Sequence, residues 1–351
     1  MRTFERLESK IGLVPAGVAT VLGRIDERHG REDLYREQRP ATFDRLVSVA
    51  RVQSAESSNA IEGVVASPRR LRDLMAERID PRNRSEAEIA GYRAALDLIH
   101  ESAPAMVFTP GVVLQLHRDL YQFTPEPGGR WKPTDNHIES IGPDGALEVV
   151  FKAHPAARTP DAMDTLHGLL ASAVDHGHHH RLLLIGSYVL DVLCIHPFRD
   201  GNGRMARLLT LLLLYRGGYE VGRYVSLERL IETSKDSYYE TLRASSLRWH
   251  EGEHDPWPWL NYFLGVLLAA YDQFEERVGA ASGRGAKREA IERFLDGIPA
   301  GGEFTVAEVR RHAVGAGDSY ISKTLTRLRD DGLIEALGTG RGARWRKVAL
   351  R

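Results

Sequence analysis

The chain is poor in cysteine, in long apolar segments and in net charge, and each shortage excludes a class of protein. A single cysteine, Cys194, excludes an internal disulfide framework and favours a reducing compartment. No apolar run reaches the length of a membrane-spanning helix, and no apolar signal core follows the N-terminus. We therefore expect a soluble, cytoplasmic protein without a membrane partner. A net charge of −1 argues against nucleic-acid binding over the whole surface.

The 351 residues, 42% of them hydrophobic, are enough for two or three domains with real cores. Apolar positions recur at helical spacing through most of the chain, so the predicted fold class is mainly α. The helical pattern stops after Phe123. Two short extended runs, 138–141 and 147–151, flank the turn-forming residues 142–145 and predict a β-hairpin.

The most informative segment, 196–207, reads His-Pro-Phe-Arg-Asp-Gly-Asn-Gly-Arg-Met-Ala-Arg. It lies between two apolar segments, 182–195 and 205–215, which predict helices on either side of a tight loop. A loop that opens a helix is an anion-binding geometry, because the first amides and the helix dipole face the loop.

The side chains of this segment match that geometry. Arg204 and Arg207 lie three apart on one predicted helical face, so both can approach a polyphosphate. Asp200 offers a hard oxygen ligand for Mg²⁺ bound with a nucleotide. His196 supplies a base that works near neutral pH.

The segment resembles the signature of the Fic-domain family, His-x-Phe-x-(Asp/Glu)-Gly-Asn-Gly-Arg-x-x-Arg, at every defining position. The resemblance covers roughly 40–275 and implies a helical core that transfers AMP from ATP to a protein Ser, Thr or Tyr hydroxyl. It implies that His196 deprotonates that hydroxyl and that Asp200 holds Mg²⁺. Phe198 would be a core anchor, and the residues implied to bind the phosphates of ATP are Gly201, Asn202, Gly203, Arg204 and Arg207.

A second phrase, Ser58 followed four residues later by Glu62 and then by Gly63, has two interpretations. Alone, it is a helix end closed by glycine. Beside a Fic motif it resembles the family's inhibitory signature, (Ser/Thr)-x-x-x-Glu-(Gly/Asn). The resemblance implies that Glu62 pairs with Arg207, so that ATP binds unproductively and the resting protein inhibits itself. Removal of AMP with the help of Glu62 is the weaker alternative.

The predicted organisation has four parts. They are an N-terminal helical region 1–110 with the inhibitory motif 58–63, a Fic core 111–278, a small-residue linker 279–286 and a C-terminal unit 287–351. By resemblance the hairpin 138–151 is the flap that docks an extended segment of an unknown target protein. Ser85 is predicted to cap a helix, with Glu88 completing a capping box.

The C-terminal segment differs in charge from the rest, because residues 281–351 carry 14 Lys/Arg against 9 Asp/Glu. Its order of helix, helix, helix and hairpin resembles a winged helix, with Asp318 and Ser319 capping the third helix. A DNA partner would be contacted by Ser322, Lys323, Thr326 and Arg327 on that helix and by Arg341 and Arg344 on the wing. A protein-interaction or dimerisation wing is an equal alternative.

Three further alternatives stay open from the sequence. Another phosphoryl or nucleotidyl transfer could use the same site, although Gly-Asn-Gly-Arg at 201–204 favours AMP transfer over the Ala-Asn-Lys variant associated with phosphate transfer. The chain could also be a DNA-binding regulator whose Fic core senses nucleotide. A homodimer is compatible with the resemblance. The histidine run 176–180 is interpreted as a loop, because adjacent histidines rarely converge on one metal ion.

Overall fold

The computed structural model describes residues 1–38, 40–141, 147–281, 284–299, 301–313, 317–338 and 344–348. The chain divides into two compact units, Met1–Phe274 and Glu275–Arg351. Both are mainly helical, with only small antiparallel sheets, as the sequence predicts. Among the described residues, no helix is both long and apolar enough to cross a membrane.

The larger unit is a helical assembly with one two-stranded insertion. Its first helices are α1 (Arg2–Glu5), α2 (Leu7–Ile11), α3 (Ala16–Gln38), α4 (Pro40–Ile61), α5 (Pro68–Met75), α6 (Arg84–Ser102) and α7 (Pro110–Tyr121). The strands β1 (His137–Ile141) and β2 (Leu147–Lys152) pair antiparallel and confirm the predicted hairpin, whose tip lies outside the described residues. The later helices are α8 (Thr159–His176), α9 (Arg181–Ile195), α10 (Asn202–Arg216), α11 (Leu227–Thr233), α12 (Lys235–Ser246) and α13 (Trp257–Ala281).

Helix α9 is the buried centre of this unit and packs against α8 and α10. Its one carboxylate, Asp191, is fully buried and accepts hydrogen bonds from Thr3 Oγ1 (2.8 Å) and Trp249 Nε1 (2.6 Å). These donors offset the cost of removing a charge from water. Cys194 is a free, buried thiol, as its apolar surroundings predict. The helix ends at His196, whose φ of +52° turns the chain out of helical geometry.

After α13, the described residues of the smaller unit form three helices and one sheet. They are α14 (Arg284–Asp296), β3 (Glu303–Thr305), α15 (Val306–His312), α16 (Asp318–Asp330), β4 (Ile334–Leu337) and β5 (Arg344–Lys347). The strands pair antiparallel in the order β3-β5-β4, over a core that includes Ile291, Phe304 and Leu325. The predicted order of helices and hairpin is present, while the assignment as a winged helix stays a prediction.

Several helix boundaries predicted from local sequence patterns differ from those in the structure. The N-cap of α6 is Asn83, not Ser85, and Glu88 is buried in a tertiary ion pair instead of closing a capping box. Helix α16 follows Gly317, with no side-chain cap, so Asp318 and Ser319 lie inside it. Thr305 and Glu308 form a capping box at the start of α15. Neither α5 nor the three-residue β3 was predicted.

The predicted linker 279–286 also differs from the structure. Helix α13 continues to Ala281 and α14 begins at Arg284, so most of the linker is helical. Only residues 282 and 283 lie outside the description. The division between the two units falls at Phe274 and Glu275, inside α13. Small residues such as alanine are good helix formers, which is why their presence alone does not mark a break.

Candidate functional site

The side chain of Asn202 bridges the loop between α9 and α10 by two hydrogen bonds. Its Oδ1 accepts a hydrogen bond from the Phe198 N–H (2.9 Å), and its Nδ2 donates to the Phe198 carbonyl (2.8 Å). The Phe198 ring is fully buried and stacks on His117 with ring centroids 3.7 Å apart. Phe198 is therefore the predicted core anchor. The side chain of Asn202 shapes the loop, which leaves its backbone amide as the group that can face an anion.

The amino end of α10 presents free backbone amides to this loop. The first helical hydrogen bond runs from the Met205 N–H to the Gly201 carbonyl, so the amides of residues 202–204 precede it. Gly201 has a φ of +79°, a conformation that favours glycine. A Cβ on Gly203 would overlap Oε1 of Glu62. The carboxylate of Glu62 thus already lies against the anion-binding end of α10.

Arg207 holds that carboxylate in place. Its Nη2 donates to Oε1 of Glu62 (2.8 Å) and to the Ser58 carbonyl (2.8 Å), and its Nε donates to Ser58 Oγ (2.8 Å). The guanidinium is buried, and its Nη1 has no hydrogen-bond partner among the described residues. Burial acts to lower the pKa of Arg207, but the Glu62 carboxylate and the Tyr238 and Tyr92 hydroxyls together outweigh it, so the pKa is raised. Arg207 is therefore a fixed cation that currently binds an internal anion.

Arg204 is held by two protein side chains, while its expected contact with phosphate stays a prediction. Its Nη1 donates to Oε2 of Glu88 (2.5 Å), and its Nη2 donates to the Tyr121 hydroxyl (3.1 Å). Both members of the ion pair are almost fully buried. With these partners the Arg204 side chain ties α10 to α6 and α7.

The end of α4, which Glu62 follows directly, is held by buried and partly buried polar contacts. Ser54 Oγ donates to Glu228 (2.7 Å), and Ser57 Oγ donates to Glu232 (2.7 Å). Lys235 Nζ donates to the Ile61 carbonyl at the end of α4 (2.6 Å). The following Gly63 adopts φ +77° and closes the helix. While α4 stays packed against its neighbours, few of these polar groups can replace their protein partners with water. The end of α4 is therefore held in one position.

Asp200 occupies the open side of the same loop. Its side chain is 58% exposed, with Oδ2 3.4 Å from Arg84 Nη2, while Oδ1 accepts from the Gly201 N–H (2.7 Å). An exposed carboxylate oxygen beside free amides suits Mg²⁺ that arrives with a nucleotide, since that ion takes one or two protein carboxylates and completes its shell with phosphates and water. The residues present therefore fit the ion that the motif implies.

His196 combines burial with a defined tautomer. Its Nδ1 lies 3.2 Å from the Leu193 carbonyl, which can only accept a hydrogen bond, so Nδ1 carries the proton and Nε2 keeps its lone pair. Burial, together with the Lys132 ammonium group, lowers the pKa of His196 to about 4. The imidazole is consequently neutral at pH 7, which is the state a general base requires.

Two further residues hold the loop and were not predicted from the sequence. Lys132 Nζ donates to the Ile195 carbonyl (2.9 Å), and Asn136 Nδ2 donates to the Phe198 carbonyl (2.9 Å). Both precede β1 in a segment without helical or strand periodicity, so no local pattern signals their burial. His117 adds a contact from α7, because its Nε2 lies 3.1 Å from the Asp200 carbonyl.

The remaining predicted sites lie elsewhere. His179 and His180 contact Glu8 (3.4 Å) and Asp26 (2.9 Å), so these two histidines of the run have separate partners. Arg341 lies outside the described residues.

Comparison with known proteins gives a consistent result. The sequence model of the Fic/DOC family matches residues 107–214. Protein adenylyltransferase Fic of Drosophila grimshawi is 28% identical over 186 residues, which are 51% of this chain and 36% of that protein. The counterpart from Drosophila melanogaster is 27% identical over 225 residues, 62% of this chain and 39% of that protein. The chain thus spans little more than a third of the length of these curated relatives.

Solved structures show the same fold. A Fic family protein from Desulfovibrio desulfuricans G20 aligns with a TM-score of 0.63 at 22% identity, over 97% of this chain and 98% of that one. Fic-1 (residues 134–508) from C. elegans aligns with a TM-score of 0.59 at 20% identity, over 76% of this chain and 74% of that one.

Proposed function

Since residues 107–214 of this chain form a Fic domain, we propose that the protein transfers AMP from ATP to a Ser, Thr or Tyr hydroxyl of a protein target. The observation that carries the proposal is the position of the Glu62 carboxylate. A carboxylate lies at once on Arg207 and against the amino end of α10, and an internal anion there marks where the phosphates of ATP would lie.

The residues of the site divide the chemistry between them. His196 Nε2 is the available proton acceptor for the attacking hydroxyl. Asp200 would hold Mg²⁺, which neutralises phosphate charge when bound. The amides of 202–204 and the Arg207 guanidinium would orient the polyphosphate, so that the α-phosphate meets the hydroxyl in line. Such a transfer needs positioning and charge neutralisation more than covalent help.

Regulation is part of the same proposal. Glu62 and the γ-phosphate of ATP compete for Arg207, so docked α4 keeps ATP in an unproductive pose. The supporting contacts are those that hold the end of α4 in place, above all the hydrogen bond from Arg207 Nε to Ser58 Oγ (2.8 Å). The hairpin of β1 and β2 would receive the target segment along a free strand edge. Removal of AMP at the same site is the alternative activity, with Glu62 as its required group.

His196→Ala tests the chemical assignment. In a chain already released by Glu62→Gly, this change is expected to reduce AMP transfer by roughly 10²- to 10⁴-fold, because it removes the general base. The measurement is transfer of label from ATP labelled at the α-phosphate, with ATP binding followed separately. Transfer that persists unchanged without His196 contradicts the proposal, whereas retained ATP binding with no transfer in Glu62→Gly itself favours a nucleotide sensor.

A second activity, DNA binding by the smaller unit, is favoured by one observation. Lys323 and Arg327 are exposed on α16 and form no ion pair with any described residue. Two basic side chains of β5 are instead paired with a carboxylate, since Arg344 and Arg346 both contact Glu303 (3.4 and 3.1 Å). If this unit binds DNA, Lys323 and Arg327 on α16 therefore offer two unpaired charges to phosphates.

A gel-shift assay on duplex DNA would test this second activity. The double variant K323Q/R327Q is expected to weaken binding and to reduce the slope of log affinity against log salt by about 2. R344Q is the matched control, because Glu303 already pairs with that arginine. Absence of any shift at low salt for the unaltered chain would leave the protein-interaction alternative.

A further inference from the structure

The carboxyl end of α9 is an unusual place for a neutral histidine. The carbonyls and the dipole of a helix end favour a positive charge, and a histidine at that position ordinarily has its pKa raised. His196 is the C-cap residue of α9. Two carboxylates, Glu62 from the end of α4 and Asp200 from the loop, act in the same direction as the dipole.

Burial of the imidazole opposes them most strongly, and the charged group that acts in the same direction as burial is Lys132. Its ammonium nitrogen donates a hydrogen bond to the carbonyl of Ile195, the last residue of α9 (2.9 Å). Burial lowers the pKa of Lys132 to about 8, so at pH 7 a positive charge lies on the negative end of the helix, close to the imidazole. Lys132 forms no ion pair with a described residue, and its nearest carboxylate influence is Asp135. Its charge is consequently available to the helix end and to His196.

Lys132 is also held too firmly to move away. The residue is 3% exposed, and its Nζ donates to Asn136 Oδ1 (2.8 Å) as well as to Ile195. Its backbone N–H donates to the Pro197 carbonyl (2.9 Å). The segment before β1 is thus hydrogen-bonded to the residues on both sides of His196.

We propose that Lys132 is a positioning residue that keeps the His196 imidazole neutral to a lower pH, by offsetting the helix dipole and the two carboxylates, so that Nε2 remains a proton acceptor there. This inference rests on the proposed function only in assigning the base role to His196. The sign follows directly: loss of the Lys132 charge raises the pKa of His196, and the pH below which transfer fails rises with it. A charge at a partly buried helix end changes the pKa by about one unit.

The decisive measurement is the titration of His196 by NMR of histidine-labelled protein, without ATP or target. The chain has 14 histidines, and His196→Gln identifies the resonance by its loss. K132M and K132Q remove the charge, and the glutamine can still donate to the Ile195 carbonyl. We expect both to raise the pKa of His196 by about one unit. K132R keeps the charge and is expected to leave the titration close to that of the unaltered chain.

Asn136→Ala separates electrostatics from loop structure. It removes the hydrogen bond to the Phe198 carbonyl and the one that Asn136 accepts from Lys132, but keeps the Lys132 charge and its hydrogen bond to the Ile195 carbonyl. An unchanged His196 titration in a folded K132Q or K132M overturns the proposal, as does an equal shift in Asn136→Ala. In a Glu62→Gly background, the acid limb of the pH–rate profile should shift with K132Q and not with K132R. Absence of AMP transfer in that background would overturn the proposed function and leave the titration result standing.

Discussion

Glu62→Gly is expected to raise AMP transfer by roughly 10- to 150-fold over the unaltered chain, the rate equivalent of a hydrogen-bonded charge pair of about 1.5–3 kcal/mol. The reason is the double contact of the Glu62 carboxylate, which lies 2.8 Å from Arg207 Nη2 and against Gly203. Without it, Arg207 keeps its two hydrogen bonds to Ser58 and gains a free face for the γ-phosphate.

The measurement uses Mg²⁺ and ATP labelled at the α-phosphate, with label counted on protein. Glu62→Gln is the matched control: it preserves volume but removes the charge, so it should release only part of the activity. ATP labelled at the γ-phosphate should give no label on protein in any variant, which separates AMP transfer from phosphoryl transfer. Equal labelling of the unaltered chain and Glu62→Gly would show that the ion pair is not a brake.

The sequence was sufficient for the chemistry of the loop because the chemistry is local. The twelve residues 196–207 carry the base, the carboxylate and the helix start in one stretch, and the structure places His196 at a helix end as predicted. Glu62 and Arg207, although 145 residues apart, could be paired in advance only through the resemblance. That ion pair is present in the structure, while its inhibitory effect stays a proposal.

What the sequence could not provide are contacts made by tertiary packing alone. Glu88 follows Ser85 by three residues and fits a capping box, but a buried arginine from a helix 116 residues later is its actual partner. Lys132 likewise lies in an irregular segment, where a lysine is usually exposed. In both cases a partner distant in sequence determines where a charged side chain lies. The spacing of residues in the local sequence contains no information about such a partner.

The buried pair of Arg204 and Glu88 leads to the second large expected effect. Arg204→Met should lower the free energy of unfolding by about 3 kcal/mol, because it leaves a buried carboxylate without its main partner. The loss stays near the low end of the usual range, since Arg84 Nε still donates to the other Glu88 oxygen (2.6 Å). Urea unfolding followed by tryptophan fluorescence measures the change.

The double variant Arg204→Met/Glu88→Leu discriminates a structural from a ligand-binding arginine. If Arg204 acts by holding α6 and α10 together, the apolar pair should recover much of the lost stability, because neither charge then remains buried and unpaired. It should also recover ATP binding, since the amides of 202–204 and Arg207 are untouched. If Arg204 instead binds phosphate, the double variant regains stability but not nucleotide. Because the Arg204 guanidinium donates its hydrogen bonds to Glu88 and Tyr121, we expect stability and ATP binding to recover together.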